Sequence, residues 1–176
     1  SETKSSVIML ERAPEDEAGG NTRFTAGAIR FAYNGIEDLK ALVPDLTAEE
    51  IENTDFGSYT EDAFFDDMGR ITEYRTDPIL CEILVKESKN TLIWMQKLGI
   101  RFAPIYGRQA FKVDGKFKFW GGLTLEAWGG GPGLLAGWQK VAGENNIQIR
   151  YNARAISLLY DDYGIHGVKV NQNGTT

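Results

Sequence analysis

The chain has few of the residues that form disulfides, metal sites and membrane spans. Its 176 residues include one cysteine and one histidine, and no apolar run approaches the length of a membrane helix. The first residues, SETKSS, do not form a charged start followed by an apolar stretch. We therefore expect no membrane span, no export signal and a cytoplasmic location. Cys81 cannot form an internal disulfide, and its helical spacing from neighbouring aliphatic residues favours a small core residue.

Positive charge is also scarce. The chain carries 19 lysines and arginines against 25 aspartates and glutamates, a formal net charge of −6. Nucleic acid and anionic lipid both attract clustered cations, so neither is expected as the main partner. Small molecules or proteins therefore remain as the expected partners. The 42% hydrophobic content is enough for one sizeable core, or for a domain with an inserted lobe.

The ionisable residues offer no convincing catalytic or metal site. His166 lies in the last predicted hairpin, where a lone exposed histidine on a strand is the favoured interpretation. The pair Asp66-Asp67 lacks the ligand spacing of a calcium loop, so a solvated helix face is the favoured interpretation. We name no catalytic and no metal-binding residue.

The sequence predicts a long helix over residues 77–98. Asp77 is placed to cap it, Pro78 occupies its first position and Gly99 follows its end. The apolar residues at helical spacing predict a core-facing stripe. Its members are Leu80, Ile83, Leu84, Leu92, Met95 and Leu98.

Other local signals predict alternating helices and strands. Thr47 and Glu50 have the spacing of a capping box within an acidic, amphipathic segment over residues 36–70. Asp114-Gly115 divides the segment AFKVDGKFKFW into a β-hairpin, whose lysines form its wet face. The glycine-rich residues 129–133 open a helix that ends near residue 143. Two strands with a kink at Asn152 and a final hairpin follow, which is an α/β order.

The first strand, SVIML, ends at a carboxylate. Glu11 follows Leu10 directly and precedes the turn Arg12-Ala13-Pro14. In dinucleotide-binding units, a carboxylate at the end of the second strand accepts hydrogen bonds from ribose hydroxyls. A buried parallel strand needs neighbours, and few residues come before this one. We therefore expect a truncated chain.

Small residues crowd the segment that follows. EDEAGGNTRFTAGAIR has two adjacent glycines and then Thr25, Ala26 and Gly27. Such residues let the backbone approach another group closely. A ligand is one candidate for that group. A loop leading to a helix capped by Asn21 or Thr22 is the other, and the sequence leaves both open.

Together, these segments resemble a known family. VIMLERAP followed by GGNTRFTAGA is similar to the flavoproteins that comprise fumarate reductases, succinate dehydrogenases and ketosteroid dehydrogenases. TDPILCEILVKESKNTLIWMQKLGIRF and FWGGLTLEAWGGGPGL continue the resemblance over nearly all of the chain. Within the family, GRQAFKVDGKFKFWGG and TRFTAGAIRFAYNG look most like tricarballylate dehydrogenases.

The resemblance implies FAD as cofactor and assigns its contacts. Glu11 would bind the adenosine ribose, and Arg12 and Ala13 would border the adenine side. Ala155 would meet the adenine region from the second strand pair. The pyrophosphate, the ribityl chain and the isoalloxazine would be lined, mostly by backbone groups, by Gly20, Asn21, Thr22, Thr25, Ala26 and Gly27.

The implied fold class is α/β: a partial FAD-binding, Rossmann-like domain with a helical insertion and β-hairpins. Residues 1–35 would hold the second strand and the flavin-contacting loop, and residues 36–108 the helical insertion. Residues 109–176 would form the hairpin, helix and strands that return to the FAD-binding domain.

The implied activity is FAD-dependent dehydrogenation or reduction of a small polycarboxylate, with hydride transfer to the flavin. An electron-accepting partner is compatible with this chemistry. The family's substrate ligands and proton-transferring arginine would lie beyond the last residue, the glycine-rich first turn is absent, and Gly27-Ala28 replaces a frequent pair of glycines. We therefore expect this chain alone to be inactive.

Two alternatives stay open, together with one expectation about assembly. The substrate of the flavoprotein would be a ketosteroid in the first alternative. In the second, the chain is a noncatalytic α/β interaction module that binds a protein through its Trp- and Gly-rich surface from Phe119 to Pro132, with sensitivity to changes at Trp120 or Trp128. An unpartnered first strand would expose Val7, Ile8 and Leu10, which predicts self-association.

Overall fold

The computed structural model describes residues 5–175, and it combines helices and strands in the predicted α/β fold class. Residues 1–4, part of the segment tested for an export signal, lie outside the described residues. The helices are α1 (Ile36–Leu42), α2 (Ala48–Asn53), α3 (Glu61–Thr72), α4 (Pro78–Lys97), α5 (Tyr106–Gln109) and α6 (Gly130–Glu144). The strands are β1 (Ile8–Leu10), β2 (Ala28–Ile29), β3 (Phe102–Pro104), β4 (Ala110–Val113), β5 (Lys116–Phe119), β6 (Leu125–Ala127), β7 (Gln148–Arg150), β8 (Ala153–Asp161) and β9 (Gly164–Gln172).

The described residues divide into two units. The first combines residues 5–24 with residues 135–175, and the second is the continuous stretch 25–134. The boundaries at residues 35 and 108 were predicted from the family resemblance and not from contacts within the structure, and that division stays a prediction. Among residues 5–175, no helix is both long enough and apolar enough to cross a membrane.

The first unit pairs β1 with a strand from far along the chain. β1 runs parallel to β7, with Ile8 opposite Gln148. Asn152 has a φ of 53° between β7 and β8, which is the predicted kink, and β8 and β9 form the predicted final hairpin.

The expected burial of β1 is wrong. Ile8 is 51% exposed and Met9 49%, because β7 covers only one edge of β1 and the described residues leave much of its two faces open. Val7 and Ile8 are exposed as the self-association argument expects, whereas Leu10 is half-buried.

The second unit is built on a small antiparallel sheet with the order β2-β6-β3. The β4–β5 hairpin turns at Asp114 and Gly115, whose φ values of 50° and 83° confirm the predicted tight turn. The capping box is also present: the Thr47 hydroxyl accepts from the Glu50 N–H, and the Glu50 carboxylate accepts from the Thr47 N–H. The largest fully buried side chains include Phe31, Leu39, Leu42, Val85, Leu92, Ile105 and Leu125, all in this unit.

Helix α4 begins as predicted but buries only part of the predicted stripe, which includes Leu92 and Met95. The Asp77 carboxylate accepts from the N–H groups of Ile79 and Leu80 at 2.9 and 3.0 Å, and Pro78 is the first helical residue. Three members of the expected core stripe, Leu80, Ile83 and Leu84, are at least 50% exposed. Helices α1 and α3 are the main elements that α4 contacts. The buried residues of the helix are Cys81, Val85, Ser88, Leu92 and Met95.

Candidate functional site

The carboxylate that ends the first strand is held firmly in place. The Glu11 N–H donates to the carbonyl of Arg150 at 2.9 Å, and its carbonyl accepts from the Ala153 N–H at 2.8 Å. Its side-chain Oε1 accepts from the Ala13 N–H at 2.8 Å. The backbone therefore continues the β1–β7 pairing, and the turn fixes the carboxylate at the carboxyl end of a parallel strand.

Glu11 lines a cleft of about 410 Å³ in the first unit. The cleft is formed by β1, the glycine segment after it, helix α6 and the end of β7. Its walls are largely apolar, while Glu11, Thr22, Gln139 and Tyr151 supply polar groups. The lining residues are Met9, Glu11, Ala18, Gly19, Gly20, Thr22, Leu135, Trp138, Gln139, Ala142, Ile149 and Tyr151.

Two adjacent glycines shape one side of this cleft. Gly19 has a φ of 102°, and a Cβ there would lie 2.5 Å from Cδ2 of Leu135. Gly20 has a φ of 49°, and a Cβ there would meet no atom within 4 Å. Packing therefore requires glycine at residue 19, while residue 20 leaves open space beside the cleft.

The helix-cap alternative for Asn21 and Thr22 is wrong. Both residues lie inside a short 3-10 helix, Gly20–Phe24, and the Thr22 N–H donates to the carbonyl of Gly19 at 3.1 Å. Thr22 lines the cleft, whereas Asn21 is exposed and does not line it. Arg12 and Ala13 border Glu11 in sequence but do not line the cleft either.

Thr25, Ala26 and Gly27 belong to the second unit, where their close backbone approach is confirmed. Gly27 has a φ of 81°, and a Cβ there would lie 2.9 Å from Cα of Gly130. The Thr25 carbonyl accepts from the Gly131 N–H at 2.9 Å. In the described residues, the group that approaches this segment is therefore the start of α6.

Ala155 lies away from the cleft lining. It is exposed on β8, opposite Val170, and borders a separate depression with Arg154, Ile156 and Asn171. The structure thus brings Glu11, Gly20 and Thr22 together, but not Ala155.

Sequence reasoning missed the residues that α6 and β7 contribute to the cleft. Leu135, Trp138 and Ala142 follow one another at intervals of three and four residues, so they lie on one face of α6. That spacing was visible in the sequence. The spacing did not indicate a ligand cleft, because apolar residues at helical spacing ordinarily pack in a core.

The acidic pair Asp66-Asp67 divides between two roles. Asp66 is exposed, as expected for a solvated face, but Asp67 is half-buried and paired. Its Oδ2 accepts from Arg30 at 3.0 Å and from the Tyr59 hydroxyl at 2.8 Å, and its Oδ1 accepts from Arg70 at 2.7 Å. These hydrogen bonds, that from Arg70 foremost, lower the pKa of Asp67. Among the described residues, no group of three His, Cys, Asp or Glu could hold a metal ion.

Comparison with known proteins identifies a matching family and similar folds. The model of the FAD binding domain family matches residues 2–176. A fumarate reductase (cytochrome) of Shewanella frigidimarina is 25% identical over 165 residues, which are 93% of this chain and 25% of that protein. A probable fumarate reductase of the same species, strain NCIMB 400, is 25% identical over 170 residues. The chain thus spans about a quarter of the length of these relatives.

Two solved structures share the fold. The open conformation of a flavocytochrome c3 fumarate reductase superposes with a TM-score of 0.68 at 22% identity, over 99% of this chain and 27% of that one. A 3-ketosteroid-Δ4-(5α)-dehydrogenase from Rhodococcus jostii superposes with a TM-score of 0.66 at 18% identity, over 96% of this chain and 37% of that one.

Proposed function

Since the chain belongs to the FAD binding domain family, whose model matches residues 2–176, we propose that its first unit holds the adenosine end of FAD in the cleft beside Glu11. The observation that carries this proposal is the fixed carboxylate at the end of β1, which lines a cleft of about 410 Å³. Ribose hydroxyls donate to a carboxylate in this position of a dinucleotide-binding unit.

The residues around the cleft fit an adenosine group. Glu11 would accept from the ribose hydroxyls. Arg12 and Ala13, which were expected to border the adenine side, lie outside the cleft lining. The aromatic side chains of Trp138 and Tyr151 offer apolar walls to a planar base. Ala155, for which a contact with the adenine region was expected, lies outside this lining.

The glycine segment fits a phosphate-containing ligand. Because Gly20 has no side chain, the space beside its backbone is open to a ligand group. Backbone groups of Gly20, Asn21 and Thr22 would face the pyrophosphate. Thr25, Ala26 and Gly27 would serve the ribityl chain and the isoalloxazine.

The parent activity that this site supports is FAD-dependent oxidoreduction of a small dicarboxylate or polycarboxylate. When bound, FAD supplies the hydride acceptor or donor. The fumarate reductase relatives support a dicarboxylate, and the resemblance of residues 107–122 to tricarballylate dehydrogenases supports a tricarboxylate within the same class. An electron-exchanging partner and a cytoplasmic location are part of this proposal.

The direct test is a flavin titration of the polypeptide made from the complete reading frame that contains this sequence. Glu11→Gln keeps the size of the side chain and removes its charge, so we expect FAD binding to weaken by about 5- to 20-fold. Glu15→Gln is the matched control, because Glu15 is exposed and does not line the cleft. Quenching of FAD fluorescence reports the dissociation constant.

The titration, followed by substrate assays on the flavin-loaded protein, has three outcomes that distinguish a polycarboxylate substrate, a steroid substrate and the absence of FAD binding. Yellow protein whose reduced flavin is reoxidised by fumarate, or whose oxidised flavin is bleached by tricarballylate, supports the proposal and separates the two substrates. Bleaching by a ketosteroid alone would replace the polycarboxylate with a steroid. Absence of flavin binding in the complete polypeptide would refute the FAD proposal.

A noncatalytic interaction module is the second candidate. The specific observation in its favour is that Trp120 is 61% and Trp128 57% exposed, although tryptophan is a costly residue to leave in water. This alternative predicts partner binding that is sensitive to Trp120→Ala or Trp128→Ala and indifferent to FAD. The FAD proposal predicts the reverse sensitivity, to Glu11→Gln.

A further inference from the structure

A cluster of paired charges in the second unit lies outside the cleft. Arg30, which follows β2, donates from Nη1 to three acceptors: the Asp67 carboxylate and the Tyr59 hydroxyl, each at 3.0 Å, and the Gly121 carbonyl at 2.5 Å. Arg70 donates to the other oxygen of Asp67 at 2.7 Å. We call Arg30, Tyr59, Asp67 and Arg70 the arginine cluster.

The arginine cluster carries an excess of positive charge. Two guanidinium groups share one carboxylate, and hydrogen bonds from Arg70 and Tyr59 lower the pKa of Asp67, so this carboxylate stays ionised. Burial raises the pKa of Tyr59, which therefore stays a neutral hydroxyl. The formal charge of the cluster is one unit positive near neutral pH.

The cluster fixes Arg30 without using all of its donors. All three hydrogen bonds leave from Nη1, and no described residue accepts from Nη2 or Nε of Arg30. The side chain of Arg30 is 28% exposed. Two N–H groups on one edge of a guanidinium match the two oxygens of a carboxylate.

Glycines bring the neighbouring loop against the cluster. A Cβ at Gly122 would lie 2.4 Å from the ring of Tyr59, and a Cβ at Gly121 would lie 3.8 Å from both Nη1 of Arg30 and Oδ2 of Asp67. The backbone of this loop thus confines Arg30 on one side. A confined guanidinium loses little conformational freedom when an anion binds.

We propose that Arg30 anchors a carboxylate group of the substrate through Nη2 and Nε, and that Tyr59 and Asp67 hold it in position. This inference rests on the proposed function, since it names a contact for the carboxylate-bearing substrate class. Arg30 lies three residues after Gly27, the end of the segment that would serve the flavin. A purely structural role, in which the cluster only ties α3 to the segment after β2, is the competing explanation.

Equivalent substitutions at the two arginines separate these explanations. Arg30→Lys keeps the charge and removes the two-pronged donor edge, and Arg70→Lys makes the same change at a side chain that is 70% exposed. In the complete polypeptide loaded with FAD, calorimetry with succinate should show a dissociation constant raised by about 10- to 100-fold in Arg30→Lys. In Arg70→Lys it should change by less than about twofold.

Kinetic readouts sharpen the test. With fumarate, Arg30→Lys should raise KM by more than it lowers kcat, because the lost contact is made to the bound carboxylate. Reoxidation of the reduced flavin by dioxygen, which has no carboxylate, should keep the wild-type rate. Tyr59→Phe, which removes one acceptor of Arg30 and leaves the charges, should raise the succinate dissociation constant by about 3- to 10-fold and serves if Arg30→Lys does not fold.

The possible outcomes are distinct. An unchanged succinate dissociation constant in Arg30→Lys or, if that variant does not fold, in Tyr59→Phe overturns the anchoring role. Equal effects of the two arginine substitutions also overturn it. If the wild-type protein binds neither FAD nor succinate, the proposed function itself fails. If it binds both and Arg30→Lys behaves like the wild type, only this inference fails.

Discussion

Gly27 stands where two backbone segments of the second unit lie in contact. Its φ of 81° disfavours any side chain, and a Cβ would lie 2.9 Å from Cα of Gly130. We expect Gly27→Ala to lower the free energy of unfolding by about 2–5 kcal/mol, because conformational strain and a backbone clash add. Urea denaturation measures the change.

Gly57→Ala is the matched control for this prediction. Gly57 also has a positive φ, 57°, but a Cβ there would meet no atom within 4 Å. It should lose only the conformational part, about 1–2 kcal/mol. Equal losses in the two variants would show that the contact with Gly130 does not matter.

The lowered pKa of Asp67 predicts how the free energy of unfolding depends on pH. Its pKa is lowered in the folded protein, mainly by the hydrogen bond from Arg70 and then by that from Tyr59. The stability that depends on its ionised form is therefore present above the unfolded value of about 3.9 and is lost as pH falls through the lower, folded value. Asp67→Asn should be about 1–3 kcal/mol less stable than the wild type at pH 7.

In urea titrations at several pH values, the difference in unfolding free energy between the wild type and Asp67→Asn should narrow as pH falls below the unfolded value of about 3.9. Asp66→Asn is the neighbouring control, since Asp66 is exposed. A difference that stays constant down to pH 2 would argue against the ionised cluster.

Residues whose roles depend on their immediate neighbours in sequence were predictable, and residues with distant partners were not. Glu11 was identified because a strand end and a proline turn surround it in the sequence. Asp67 was expected on a solvated face, yet its partners include Arg30, 37 residues away. Trp138 and Tyr151 entered the cleft lining only when α6 and the end of β7 came beside β1.

At the scale of secondary structure, α4 shows the same difference between contacts with sequence neighbours, which were predictable, and contacts with distant elements, which were not. Its capping by Asp77 is a contact between near neighbours in sequence, and the sequence predicted it. The hairpin turn at residues 114–115 and the capping box of α2 belong to the same class. The buried face of α4 depends on where α1 and α3 lie. Several faces of α4 are apolar, so periodicity identified Leu92 and Met95 correctly but also selected residues near the start of the helix that are exposed.

Two leucines of α4 test which face is buried. Leu92 is 2% exposed, and Leu84 is 50% exposed. Leu92→Ala should lower the free energy of unfolding by about 2–5 kcal/mol, since it leaves a cavity. Leu84→Ala removes the same atoms from a surface position and should cost at most about 1 kcal/mol. A loss in Leu84→Ala equal to or larger than that in Leu92→Ala would show that Leu84 is buried too, as the full stripe predicted from the sequence requires.

For the molecule as a whole, exposed apolar residues predict self-association. The β8–β9 hairpin exposes Leu158 at 54% and Tyr160 at 76% of their surfaces, and β1 exposes Ile8. A two-stranded hairpin with open faces is a ready surface for another chain. We expect sedimentation velocity of this chain to show dimers or larger species near 100 μM, on the order of the concentrations where exposed strand edges associate.

A charge on the hairpin should reduce that association. Leu158→Lys replaces an exposed apolar side chain with a charged one. Ser157→Lys adds the same charge at the adjacent exposed residue. Only Leu158→Lys should shift the distribution strongly toward monomer. A wild-type chain that sediments as a monomer throughout would refute the prediction, and equal effects of both lysines would point to net charge instead.

The pairing of β1 with β7 also determines the order in which the protein can assemble on the ribosome. Gln148, the partner of Ile8, is added about 140 residues after Ile8. At roughly 5–20 residues per second, β1 waits about 7 to 28 seconds for its partner strand. The stretch 25–134, which is continuous in sequence, can be complete before then. A nascent-chain chaperone that recognises apolar strands would therefore find β1 without β7 throughout that interval.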